Sequence, residues 1–224
     1  MPANAVTSHP YVYSIPMRVR FRGITVRDGV LLRGTAGWGE FSPFWGYDAA
    51  ESAAWLRAAR EAADVGWPAG LRTQIPVNVT VPAVDAAAAH RIVLASGGCR
   101  TAKVKVADPG QTLADDVARV RMVRRVLGPE GRIRVDANGL WNVDEAEHAI
   151  HALNEFDLEY VEQPCATIEE LAEIRRRTGY LDVGVAADES VRRAEDPLLV
   201  ARTGSADILV IKRLRSAEST PPWR

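Results

Sequence analysis

Only three of the 28 lysines and arginines in this 224-residue chain are lysines: Lys103, Lys105 and Lys212. Arginine keeps its proton at any pH a protein tolerates, whereas a lysine can lose one when burial or a neighbouring cation lowers its pKa. An Arg- and Ala-rich composition explains the scarcity of lysine, but not the placement of two of them as Lys103-Val104-Lys105. On a strand, side chains two apart point the same way, so both ammonium groups share a face while Val104 takes the other. Side by side they disfavour each other's protonation and bring one toward the neutrality a general base requires.

Asp136, Glu162 and Asp188 stand 26 residues apart in turn, with no arginine immediately beside any of them. A single carboxylate at a strand end more often caps a helix than binds an ion. Three in register, flanked by lysines, form a negative cluster that repels itself without a cation, and oxygen ligands suit a hard divalent ion, Mg2+ first and Mn2+ second. Zinc would bring His or Cys ligands, and His9, His90, His148 and His151 fall in the N-terminal tail or in helical patterns. His148 and His151 read as an ordinary helix surface, and Arg175-Arg176-Arg177 as a solvated last helical turn set against the dipole.

Short apolar runs must present these residues: Ile75–Val81, Thr101–Val106, Arg132–Asp136, Leu158–Glu162, Val183–Asp188 and Ala206–Lys212. Amphipathic helical patterns lie between them, with the capping box Thr167-Ile-Glu-Glu170 and helix stops at Gly128, Gly179 and Gly204. Strand ends at Val79, Lys105, Asp136, Glu162, Asp188 and Lys212 recur every 24 to 31 residues, one βα unit per interval. Neither a GxGxxG nor a GxxxxGK[ST] turn follows the first strand, which disfavours a doubly wound nucleotide fold and leaves a parallel barrel, whose chemistry gathers at the strands' C-terminal ends. Ahead of this relay, Tyr11–Leu32 alternates around Asp28-Gly29 and predicts a hairpin turning there. A loop over Gly34–Pro43 and a helix over Asp48–Asp64, with Ala53, Leu56, Ala59 and Ala63 on one face, complete a small α+β unit.

With 47% hydrophobic residues the chain can bury a sizeable core, and a net charge of -1 makes no electrostatic case for nucleic acid or an acidic membrane. Cys99 and Cys165 form no CxxC or zinc spacing, so reduced thiols are expected. The first ten residues lack a basic region followed by an apolar run, and no apolar stretch approaches bilayer length. A cytoplasmic protein acting on a small molecule is expected.

At these residues the chain resembles the enolase superfamily and, within it, the o-succinylbenzoate synthases of menaquinone biosynthesis. The matching motifs are Lys103-Val-Lys105, Asp136-Ala-Asn138, Glu162-Gln-Pro164, Asp188-Glu-Ser190 and Lys212 at the end of Asp207–Lys212. Gly37–Pro43 and Pro76–Pro82 look like the same subfamily. The resemblance implies an N-terminal α+β capping domain (1–73), an enolase-type (β/α)7β TIM-like barrel of which strands one to six occupy 74–212, and a non-family tail (213–224). It implies Mg2+ on Asp136, Glu162 and Asp188, and an ene-diolate formed by proton abstraction next to a carboxylate. Lys105 would take the α-proton and help hydroxide depart, Lys103 would tune Lys105 and bind carboxylate, and Lys212 would act from the other side as acid/base or as a cation against the ring. Asn138 is implied as a substrate contact. Racemases, dipeptide epimerases and muconate-type cycloisomerases share these acids and lysines, so they remain alternatives. The family pattern continues past Lys212 with a helix and two more strands, whereas Arg213–Arg224 shows no strand pattern; an incomplete barrel is therefore expected, and a non-catalytic fragment is a further alternative.

Overall fold

A computed structural model describes residues 9–21, 23–192 and 198–211. Contacts divide them into two compact units, one up to Gln74 and one spanning Ile75–Ile211. Lys212 and the tail expected at 213–224 lie outside the described residues.

In the first unit, β1 (His9–Phe21), β2 (Ile24–Arg33) and β3 (Trp38–Phe41) form an antiparallel sheet. The chain reverses at Gly23, with φ 80°, and not at Asp28-Gly29, which lies within β2 opposite Ser14 and Tyr13. The alternation misleads because Gly29 serves a close approach instead of a turn: a Cβ there would sit 2.2 Å from Tyr13 Oη. That hydroxyl donates to Glu40 at 2.5 Å. Asp48 accepts from the Glu51 N–H to start α1 (Ala49–Asp64), which buries Trp55, Ala58, Ala59, Ala62 and Ala63. Ala59 and Ala63 pack with Leu32, Val30, Phe41 and Leu56.

The second unit winds six parallel strands in sequential order, β4 (Val79–Val81), β5 (Thr101–Lys105), β6 (Arg132–Asp136), β7 (Leu158–Glu162), β8 (Gly184–Ala187) and β9 (Ile208–Leu209). The helices between them are α2 (Ala86–Leu94), α3 (Leu113–Leu127), α4 (Val143–Leu153), α5 (Ile168–Thr178), and α6 (Glu189–Arg192) with α7 (Leu199–Thr203). Strands added one after another, without a reversal of order, wind as a barrel does and a doubly wound sheet does not. Register makes the two faces different: Val104, Val135 and Val161 align in one row, and Lys105, Asp136 and Glu162 align in the next. The valine row joins the core formed with Val120, Ile150, Leu153, Leu171 and Ile174 of the helices.

β4 is shorter than the apolar run Ile75–Val81 suggests. Ile75 and Val77 are 75% and 70% exposed, and Pro76 has no N–H to give a ladder. β9 is shorter than the predicted Ala206–Lys212: the Asp207 carboxylate accepts from the Val185 N–H at 3.0 Å, a side chain standing in for a ladder bond. Thr112/Asp115, Asn142/Glu145 and Thr167/Glu170 cap α3, α4 and α5 reciprocally. Gly128, Gly179 and Gly204 follow α3, α5 and α7. The arginines ending α5 are more than solvated. Arg177 reaches Asp144 and Glu147 of α4 at 2.8 and 2.9 Å, and Arg175 reaches Asp207 at 2.7 Å. His151 hydrogen-bonds Tyr180. No described helix is long and apolar enough to cross a membrane.

Candidate active site

The ends of β5, β6 and β7 bring Lys103, Lys105, Asp136 and Glu162 together. Lys103 Nζ lies 2.8 Å from Asp136 Oδ2 and 2.5 Å from Glu162 Oε1, and Lys105 Nζ pairs with the same Asp136 oxygen. Lys105 also donates to Asn138 Oδ1 at 2.7 Å, while Asn138 Nδ2 donates to Glu189 Oε1 at 3.2 Å. Asn138 adopts φ 51°, and its N–H returns to Asp136 Oδ1 at 3.0 Å. Asp188, just beyond β8, is 1% exposed, like Asp136 and Glu162. Among the described residues no three His, Cys, Asp or Glu side chains are arranged to hold an ion as they stand; the lysines draw Asp136 and Glu162 to themselves.

Burial and charge set the two lysines apart. For Lys103, desolvation opposes the ammonium, but Asp136 and Glu162 outweigh it and hold the pKa above the ordinary lysine range. For Lys105, desolvation prevails over Asp136, and the charge of Lys103 adds to it, so the pKa falls below the ordinary range. The adjacent pair thus contains one firmly charged amine and one drawn toward neutrality. Burial, followed by the charge of Asp136, pushes Glu162 up to about 7, against the pull of Lys103, and Asp188 adds to the rise. Burial opposes the Asp136 carboxylate too, yet the two lysines overcome it and hold its pKa low.

Two supports have no role in the sequence reading. Arg119 on α3, 1% exposed, donates to the carbonyls of Val84 at 2.5 Å and Lys105 at 2.8 Å, pairs with Asp116 at 2.7 Å, and bonds Gln111. Asp116 in turn accepts from Ala107 N–H at 3.0 Å, so this buried pair holds the chain on both sides of Val106, at the Lys105 carbonyl and at the Ala107 N–H. Gln163, fully buried after β7, bonds residues at the end of β8. Its presence in the Glu-Gln-Pro motif was the signal available. Asp116 and Arg119 offered only an i,i+3 spacing that surface pairs share.

Cys165 is fully buried beside this region, and burial, followed by the charges of Glu170 and Glu145, pushes its thiol up to about 12. Cys99 is partly exposed. A thiol reacts as thiolate, so native protein treated with iodoacetamide at pH 8 is expected to take one label, on Cys99, and denatured protein two. Native labelling of Cys165 at the Cys99 rate would contradict the buried placement.

A family model described as Enolase N-terminal domain-like matches residues 12–63, and one described as Enolase C-terminal domain-like matches 84–217. The o-succinylbenzoate synthase of Thermobifida fusca (strain YX) is 60% identical over 200 residues, covering 89% of this chain and 62% of that protein. The o-succinylbenzoate synthase of Mycolicibacterium smegmatis is 56% identical over 203 residues, covering 90% and 61%. Among solved structures, a dipeptide epimerase from Enterococcus faecalis V583, complexed with Mg and the dipeptide L-Leu-L-Tyr, superposes with TM-score 0.70 at 21% identity, over 93% of this chain and 74% of that one. This likeness speaks for the fold. The chain spans about three fifths of the length of the curated relatives it matches. With sequential βα units ending in Lys103-Val-Lys105, Asp136, Glu162 and Asp188, and with a C-terminal family model covering more than half of its length, the chain belongs to the enolase C-terminal domain-like family.

Proposed function

We propose that residues 75–211 carry the general-base and carboxylate half of an o-succinylbenzoate synthase site, a lyase that dehydrates 2-succinyl-6-hydroxy-2,4-cyclohexadiene-1-carboxylate to 2-succinylbenzoate. The observation that carries this reading is Lys105, a partly buried amine of lowered pKa bonded to Asp136 and Asn138 beside Lys103, whose pKa is raised. The identity to o-succinylbenzoate synthases supports the choice of substrate.

The carboxylates Asp136, Glu162 and Asp188 fit a hard divalent ion, Mg2+ before Mn2+. Their donors are all oxygens, and Glu162 Oε2 is buried without a hydrogen-bond partner, an acceptor that a cation satisfies. When bound, such an ion supplies positive charge against the substrate carboxylate and acidifies the neighbouring C–H. Lys105 Nζ takes that α-proton; the ring hydroxyl then departs, and the proton leaves with it as water. Lys103 stays charged and offsets the carboxylates. Asn138, engaged with Lys105 and Glu189, orients the base in this scheme, in addition to the substrate contact the resemblance implies. Lys212 is assigned as acid/base or cation on the opposite side of the ring, and a cytoplasmic setting agrees with two free cysteines.

Thermal unfolding during a Mg2+ titration tests the ion site. At about 100 times Kd, stabilisation of about 2.7 kcal/mol is expected, and Glu162→Gln is expected to remove most of it. Unchanged melting of the unaltered chain in 10 mM Mg2+ as well as 10 mM Mn2+ would sink the assignment.

A further inference from the structure

Gln163 follows Glu162 at the end of β7, and its backbone is held at φ 40°, in the left-handed region that side chains other than glycine seldom adopt. All four hydrogen-bonding valences of its amide are filled. Nε2 donates to the Cys165 carbonyl at 2.9 Å and to Ser190 Oγ at 2.7 Å. Oε1 accepts from the Asp188 N–H at 3.0 Å and the Ser190 N–H at 3.1 Å. Its main chain reaches β8 and the segment beyond β6 as well, with the N–H donating to the Ala186 carbonyl and the carbonyl accepting from Gly139 N–H, each at 2.7 Å. One uncharged residue therefore ties together the chain beyond β6, β7 and β8, the segments that carry Asp136, Glu162 and Asp188. Filling the core needs no such group; four directional bonds in a dry site fix position and angle.

We propose that Gln163 is a positioning residue: its amide sets Asp188 against Glu162 and so determines the affinity of the carboxylate cluster for a divalent cation. Groups that orient metal-binding side chains from behind typically govern affinity by 10- to 100-fold, and a bond to the Asp188 backbone N–H acts on that residue directly. The inference rests on the ion-site reading given above.

Mn2+ titration of the whole chain, with free ion read by electron paramagnetic resonance, tests it. Gln163→Met, close in shape but without the amide, is expected to weaken Mn2+ binding about 10- to 100-fold. Gln163→Glu keeps the acceptor for Asp188 and Ser190 and is expected to recover most of that affinity. Thr178→Val, which removes a different buried polar group of the same unit, a hydroxyl bonded to the Ile174 carbonyl at 2.9 Å, is expected to leave Mn2+ binding unchanged. Unchanged affinity in Gln163→Met, an equal loss in Gln163→Glu, or an equal loss in Thr178→Val overturns the proposal while leaving the ion site standing. An unaltered chain that takes up no Mn2+ overturns the ion site, and the positioning role with it. Should Gln163→Met not fold by circular dichroism, Ser190→Ala takes its place: it removes one of the two Nε2 acceptors and leaves the bond to Cys165, with about 3-fold weaker binding expected and unchanged binding overturning the proposal.

Discussion

Lys105→Met is expected to lower the rate of dehydration by about 10²- to 10⁴-fold, the range general-base catalysis contributes, while the protein stays folded. The amine is the one group of the cluster whose pKa burial brings down, and its neighbour Lys103 remains 2.8 Å from Asp136 to offset that carboxylate. Methionine keeps the unbranched bulk and removes the proton acceptor. Loss of the cyclohexadiene absorbance gives the rate, and circular dichroism checks the fold. A folded variant within about 3-fold of the unaltered chain would remove Lys105 from the reaction. The sign of the pH response is fixed as well: Lys105 acts as the neutral amine, so activity should rise with pH, and its lowered pKa places that rise below the range of an ordinary lysine.

Arg119→Met should cost about 3–5 kcal/mol of stability, because it strands the buried Asp116 carboxylate without its countercharge. Asp116 is 2% exposed, and burial already raises its pKa. Against a total stability of about 5–15 kcal/mol for a domain, urea unfolding should show a large part of the margin gone. Adding Asp116→Leu removes the stranded charge and should recover part of the loss, leaving the Ala107 N–H and the Val84 and Lys105 carbonyls to be satisfied otherwise. A single-variant cost below about 1 kcal/mol would mean that the pair is dispensable to the loop that follows β5.

Arg132–Asp136 and Leu158–Glu162 were legible to the residue, because each is a short run between capped helices in which buried apolar residues recur, Ile133 and Val135 in one and Leu158, Tyr160 and Val161 in the other. Thr167 and Glu170 were legible for the same local reason. The N-terminal turn was not: Asp28-Gly29 carries a turn's composition, but the requirement for glycine comes from the ring of Tyr13, sixteen residues earlier on the partner strand. At the site, the face shared by Lys103 and Lys105 follows from strand periodicity. Their capture of Asp136 and Glu162 depends on distances across three strands that no local pattern encodes. Gln163 and Arg119 escaped for that reason too, since their bonding partners lie as far as 27 and 35 residues away in sequence.

The sequential order of β4 to β9 has a consequence for synthesis. Each of β5 to β8 pairs with the strands made immediately before and after it, so their pairing need not wait for a distant partner to leave the ribosome. At about 5–20 residues per second, a unit of 24 to 31 residues emerges every few seconds, long compared with the microseconds to milliseconds in which local contacts form. The sheet can therefore lengthen one unit at a time, with Lys105 in place before Asp136 exists and Asp136 before Glu162. The charge cluster would be assembled cation first, each new carboxylate arriving beside an ammonium already there to receive it.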